Sequence, residues 1–286
     1  MPAMRIRTEC RPCLERLIDR TVGLATSDPD LGAEARRQAQ AILTAEFSPG
    51  AIPAIIANRF HRAIKAVTGN PDPFKARKQQ ETEMARRMAA QIAGRSKSGP
   101  DLTLALAVAG NALDFFRPED DIVRDMTSPV RFSGSQVQLW QRRLSERPGL
   151  LLYLADNAGE QFFDLPLVQS LREQGWQVIY VVKGGPIQND LTWQDLHESG
   201  LGAALEPVAD TGALTVGLEL AQTSPDFQGL FAGADLILAK GMGHFETLAH
   251  FADSRLFFLL QAKCQPVAAA LGLPQGSFVL RAAGAL

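Results

Sequence analysis

The feature that most constrains this chain is an apolar run, Leu150-Leu151-Leu152-Tyr153-Leu154-Ala155, that ends abruptly in Asp156-Asn157-Ala158-Gly159-Glu160. A run this short and this apolar reads as a strand buried on both faces, and the polar turn after it sets a carboxylate and an amide oxygen where strand gives way to helix. Two later segments repeat the arrangement. Val178 to Val182 runs into Lys183-Gly184-Gly185-Pro186-Ile187-Gln188-Asn189-Asp190, and Leu236 to Ala239 runs into Lys240-Gly241-Met242-Gly243-His244-Phe245-Glu246. Three such strands imply a shared crevice at their carboxyl ends.

Strand and helix patterns alternate through the second half. Strands are expected at Leu150–Ala155, Gln177–Val182, Ala204–Pro207, Asp235–Ala239, Leu256–Leu260 and Ser277–Leu280. Helices are expected at Phe162–Gln174, Thr192–Ser199, His244–Phe251 and Lys263–Leu271. This order defines the fold class: α/β, with a mainly parallel sheet carrying helices on both faces. The first half differs. Apolar residues recur at three- and four-residue steps, and Asp28-Pro29-Asp30, Ser48-Pro49-Gly50 and Gly69-Asn70-Pro71-Asp72-Pro73 cut the region into four helices. The Gly-, Ser- and charge-rich stretch from Gly94 to Pro100 marks the boundary between a helical N-terminal domain, 1–97, and an α/β/α core, 98–286.

The 286 residues, 46% of them hydrophobic, are enough for one large or two ordinary domains. With 29 basic against 31 acidic residues, no basic excess points to nucleic acid, and a small or metal-bridged ligand fits better. No apolar stretch reaches the roughly 20 residues of a membrane span, so the expected setting is cytoplasmic. Three cysteines make no disulfide framework. Cys10 and Cys13 have the spacing of half a zinc site or a redox pair, or are two small residues opening a helix; Cys264 reads as a buried helix residue.

A divalent cation seeks hard oxygen ligands with positions left for water and phosphate, and Asp156, Asn157 and Asp190 offer two carboxylates and an amide oxygen. Helix capping is the competing explanation for each. Lys240, with Gly241 and Gly243 ahead of a helix, has the makings of a phosphate cradle, though a tight turn alone also calls for glycine. Glu160 and Glu246 sit in first helical turns, where the macrodipole favours them; either also suits a metal-bound water or a substrate hydroxyl. Asn111 and Asp114 share one face of an apolar helix, Leu102–Phe116, and either bond neighbouring backbone or face the site. No dinucleotide fingerprint, P-loop or nucleophile elbow occurs. Ala158, standing where an aspartyl phosphatase has its second Asp, disfavours a phospho-Asp156.

These motifs together resemble the damage-control phosphatase family, also known as domain of unknown function 89. The resemblance rests on Asp156 to Glu160 with Phe163-Asp164, Lys183 to Pro186 through Asn189-Asp190, Lys240-Gly241 through Glu246, Gly110-Asn111 with Asp114, Asp72-Pro73-Phe74-Lys75, and Lys263-Cys264. The Cys10/Cys13 pair resembles the prokaryotic-type subfamily. The resemblance implies a Rossmann-like three-layer core behind a helical N-terminal part and a metal-dependent phosphohydrolase using Mg, Mn, Co or Ni. Its implied substrates are phosphorylated small metabolites such as sugar phosphates. It implies Asp156, Asn157 and Asp190 on the metal, Lys240 on the transferred phosphate, Asn111 and Glu160 lining the pocket, and Asp190 or Glu160 as base. Substrate contacts extend to Asp114, Gly241, His244 and Glu246; His244 stands where the family usually has Asn, which bears on substrate preference. The alternatives are an S-adenosylmethionine-dependent methyltransferase placing a strand-end carboxylate on a ribose, and a non-enzymatic zinc or redox module built on Cys10 and Cys13. Oligomeric state is not readable from the sequence.

Overall fold

The computed structural model describes residues 4–93, 100–111, 130–134 and 136–284. Six strands form one sheet in the order β3-β2-β1-β4-β5-β6. They are β1 (Leu150–Leu154), β2 (Gln177–Val182), β3 (Val208–Asp210), β4 (Leu236–Lys240), β5 (Leu256–Gln261) and β6 (Phe278–Ala282). All neighbours run parallel except β5 and β6. Alternate side chains feed two apolar clusters: Leu151, Tyr153, Val178, Tyr180 and Leu238 enter one, and Leu152, Leu154, Val181, Ile237 and Ala239 enter the other. A strand buried on both faces has no polar face to show, which is why these segments read as unbroken apolar runs.

Helices cover both faces. Leu104 and Val108 of α5 (Pro100–Asn111), Trp140 of α6 (Val137–Ser145) and Val168 of α7 (Gln161–Glu173) pack on the first face, together with α8 (Trp193–Glu198) and α9 (Gly202–Leu205). The other face takes α10 (Pro225–Gly233), α11 (Gly241–Leu248) and α12 (Gln265–Leu271). The expected strand at Ala204–Pro207 is displaced. Gly202-Ala203-Ala204-Leu205 closes one helical turn, and pairing with β2 begins at Val208. Helix α10 went unread, because Pro225 and two glycines masked a helix whose N-cap is the Ser224 side chain.

The first three helices, α1 (Cys10–Ala25), α2 (Pro29–Glu46) and α3 (Pro53–Thr68), share their own core around Ile18, Ala39, Leu43, Phe60 and Ile64. Helix α4 (Lys75–Ala93) packs instead through Ala85 and Met88 against Ala109 of α5 and Phe163 of α7. The expected division at 97/98 and residues 112–116 of the helix containing Asn111 lie outside the described residues. Among the described residues no helix is long and apolar enough to cross a membrane.

Candidate active site

Strand order reverses between β1 and β4, which are neighbours in the sheet while the chain leaves β1 toward β2 on the other side. A crevice opens outside the carboxyl ends of strands at such a point. The turn after β1 carries Asp156-Asn157, and the turn after β4 begins at Lys240-Gly241. The long turn after β2 folds back to join them: Asn157 and Asp190 form an antiparallel bridge, the Ala158 amide donates to Asn189 O at 2.8 Å, and the Leu191 amide donates to Asp156 O at 2.8 Å. The two turns are thus tied together by backbone, and Asp156, Asn157 and Asp190 line one cavity of about 280 Å³.

The carboxylates there are crowded and buried. Burial pushes Asp156 well above its ordinary value, with the Glu160 and Asp190 charges adding to the effect. Burial also lifts Asp190 to about 6 against the pull of Lys183. Asp156 Oδ2 accepts from the Asn111 amide at 2.8 Å and the Asn157 amide at 3.0 Å. Asn157 donates again to Glu160 at 2.7 Å, so its nitrogen is committed to carboxylates and its oxygen is the atom left to bind. Asp190 Oδ2 is buried without a hydrogen-bond partner, its nearest cation being Lys183 Nζ at 3.4 Å. Among the described residues no three His, Cys, Asp or Glu side chains stand close enough to cage an ion. Two carboxylates and an amide oxygen, with coordination completed by water and phosphate, nevertheless match how Mg²⁺-type ions are held. Gly241, at φ +81°, makes room for Asp156: a Cβ there would lie 1.9 Å from Asp156 Oδ2.

Lys240 is placed differently from the expectation. It is fully buried, and its ammonium reaches Glu160 at 2.7 Å and Asp164 at 2.5 Å rather than the cavity. Burial pulls it down, yet Asp164 and Glu160 outweigh that and hold it above its ordinary value. Glu160 likewise lies behind the cavity wall; burial raises it, but Lys240 and Lys263 win and hold it ionised. Asp164 anchors this layer by accepting from both tyrosines of the chain, Tyr153 at 2.9 Å and Tyr180 at 2.7 Å, which are register partners on β1 and β2. The lysine that does line the cavity is Lys263, after β5.

His244 is also buried behind the site. Its Nδ1 lies 2.6 Å from the Lys240 carbonyl oxygen and its Nε2 lies 3.1 Å from Lys183 Nζ. The carbonyl requires a donor, so Nδ1 carries the proton and Nε2 accepts from the ammonium. Burial and then Lys183 hold the ring neutral, well below its ordinary value. Lys183 in turn donates to Gly217 O at 2.6 Å, so His244 braces the lysine beside Asp190.

Asn111 does both things the sequence allowed: its amide nitrogen bonds Asp156 and its oxygen accepts from the Gln261 backbone amide at 3.1 Å. Asp114 lies outside the described residues. Glu246 lines the cavity but serves a distant helix, accepting from Ala54 N at 3.0 Å in the first turn of α3, where a carboxylate offsets the helix dipole. Cys10, Cys13 and Cys264 all line the same cavity, Cys10 buried and Cys13 exposed. Sequence reasoning missed the roles of Asp164, Lys183 and Lys263. Each stood in a motif, Asp164 four residues after Glu160 on one helix face, Lys183 at the head of its Gly-rich turn and Lys263 in Lys263-Cys264, but none of these motifs tells what the side chain touches.

The fold and site together define an α/β protein whose cavity at the switch point of the sheet is lined by Asp156, Asn157, Asp190 and Lys263. The sequence profile of the "Damage-control phosphatase ARMT1-like domain" matches residues 6–279, and the chain belongs to that family. It is 38% identical to the damage-control phosphatase PH1575 of Pyrococcus horikoshii over 96% of this chain and 97% of that one. It is 28% identical to a damage-control phosphatase of Archaeoglobus fulgidus, over 97% and 99% of the two chains. The crystal structure of the Pyrococcus horikoshii DUF89 family protein superimposes with a TM-score of 0.88 at 35% identity, covering 98% of this chain and 99% of that one.

Proposed function

We propose that the chain is a metal-dependent phosphatase acting on phosphomonoesters of small metabolites, the sugar phosphates implied by the resemblance among the substrates to be tested. The observation that carries this reading is the backbone bridge that sets Asp156-Asn157 beside Asp190 in one cavity wall, with a buried Asp190 oxygen lacking a hydrogen-bond partner. Asp156, Asn157 and Asp190 hold the divalent ion, and Asn111 fixes the Asp156 carboxylate. When bound, the ion polarises the phosphoryl oxygens and makes water a better nucleophile. Lys263 replaces Lys240 as the cation that offsets phosphate charge, because Lys263 lines the cavity. Lys240 and Asp164 keep Glu160 ionised and oriented behind the Asn157 amide. Of the two expected bases, Asp190 reaches the cavity and Glu160 does not. The balanced step forms the bond from water oxygen to phosphorus and breaks the ester bond. The water proton goes to Asp190, and the leaving oxygen takes a proton from solvent. The Cys10/Cys13 spacing and the archaeal relatives support placing the chain in the prokaryotic-type subfamily.

Phosphate release with Mg²⁺, Mn²⁺, Co²⁺ or Ni²⁺ tests the reading, alongside calorimetric binding of the ion alone. Asp190→Asn is expected to lose on the order of 100-fold or more in rate and to weaken ion binding, as removal of a preorganised electrostatic contact does. Lys263→Ala is expected to raise KM. Equal, metal-independent rates in the wild type and Asp190→Asn sink the proposal.

A further inference from the structure

The turn that carries Asp190 holds the one non-glycine residue with a positive φ among the described residues, Gln188 at φ 45°. The left-handed region is costly for a residue with a Cβ and persists only where the surroundings over-determine it. Here they do. Ile187 is 2% exposed, Pro186 O accepts from Lys65 of α3, and the Asp190 amide donates to Ile187 O at 3.1 Å. On the other side of Gln188, Asn189 O accepts from the Ala158 amide, and the Asn189 side chain donates to Glu81 of α4 at 3.1 Å. Each neighbour thus has a task inside the protein, and Gln188 has none. It is half-buried, it lines the same cavity as Asp156, Asn157 and Asp190, and its side chain makes no hydrogen bond among the described residues.

A glycine would adopt this backbone at less cost, but it would bring no amide to the cavity. The carboxamide of Gln188 is neutral and carries both donors and an acceptor. In the phosphatase reading above, Asp156, Asn157 and Asp190 supply oxygens to the ion and Lys263 supplies charge to the phosphate. What a neutral group of both senses suits is a hydroxyl, which itself donates and accepts. Resting on that reading, we propose that Gln188 is a substrate-binding residue that sets specificity: its amide bonds a hydroxyl of the leaving group. The left-handed backbone, held from both sides by α3, α4 and the turn after β1, keeps that amide at the cavity wall.

The test compares the full chain with Gln188→Ala and Gln188→Gly, with Mn²⁺ present, on ribose 5-phosphate and glucose 6-phosphate and on phenyl phosphate, whose leaving group offers no second hydroxyl. The readout is kcat/KM on each sugar phosphate divided by that on phenyl phosphate. Both variants are expected to lower this ratio roughly tenfold on at least one sugar phosphate, the worth of one hydrogen bond. The Tm of Gln188→Gly is expected at or above that of the wild type, since relief of the left-handed backbone offsets the added freedom of glycine. An unchanged ratio in both variants overturns the inference and leaves the phosphatase reading intact. So does a lower Tm in Gln188→Gly with equal losses on all three substrates, which would make Gln188 a prop of its turn. If the wild type hydrolyses none of the three, the phosphatase reading fails and calorimetry of ribose 5-phosphate with Mn²⁺ decides the inference: roughly tenfold weaker binding to Gln188→Ala supports it, and equal binding overturns it.

Discussion

His61 shows how much a single buried group writes into stability. It is 1% exposed on α3, its ring 4.9 Å from Phe60 and 6.2 Å from Phe74, and its Nε2 finds no hydrogen-bond partner among the described residues. Burial, helped by the Lys65 charge, depresses it from 6.5 to about 3. The unfolded chain therefore takes up a proton that the folded chain refuses. The stabilising contribution is complete above pH 6.5 and is lost as pH falls toward 3. Chemical denaturation of the wild type and His61→Leu across this window should show the wild type losing about 1.4 kcal/mol more per pH unit. Parallel pH profiles would refute the assignment. The residue scale is also where the sequence says least about contacts. Asp156, Asn157 and Asp190 were legible because each closes an apolar strand. A lysine before Gly-x-Gly looks the same from sequence whether it points into a cavity or, as Lys240 does, under it.

Among the elements, α3 joins the helical part to the sheet. Its first turn is tied to α11 by Ala54 N to Glu246. Its middle is tied to the loop after β3 by Asn58, whose oxygen accepts from Val216 N at 2.7 Å and whose nitrogen donates to Glu219 at 2.8 Å; further along, Lys65 donates to Pro186 O. Asn58 is 2% exposed, so truncating it removes the acceptor of the half-buried Val216 amide. Asn58→Ala is expected to cost on the order of 1–3 kcal/mol of stability and to loosen the wall formed by Ala54 and Ala57. Thermal melts and KM together check this: a change below about 0.5 kcal/mol with KM unaltered would show that α3 docks by apolar contact alone. The helical spacing of α3 is plain in the sequence. Nothing in it tells which of its polar residues reach across to partners 158 or 192 positions away.

At the scale of the whole molecule, carboxylates from the turns after β1 and β2 and a lysine from the turn after β5 are gathered at one end of a sheet, and a bound cation should stabilise the fold as it relieves their repulsion. At free Mn²⁺ one hundredfold above Kd, the gain is about 2.7 kcal/mol, read as a rise in Tm that Asp190→Asn abolishes. A Tm indifferent to Mn²⁺ would contradict the cation site. What the sequence determined by itself was local: every strand but β3, from apolar runs too short to be anything else beside polar turns, the helices other than α9 and α10, from their periodicity, and hence an α/β architecture with its chemistry at strand ends. What tertiary structure decided was adjacency. The reversal of strand order between β1 and β4, the folding back of the β2 turn onto Asn157, the sinking of Lys240 under Glu160 and Asp164, and the closure of the cavity by α1 and α3 all depend on contacts between residues far apart in the chain. Hydrophobic pattern records whether a side chain is buried, but not what it is buried against.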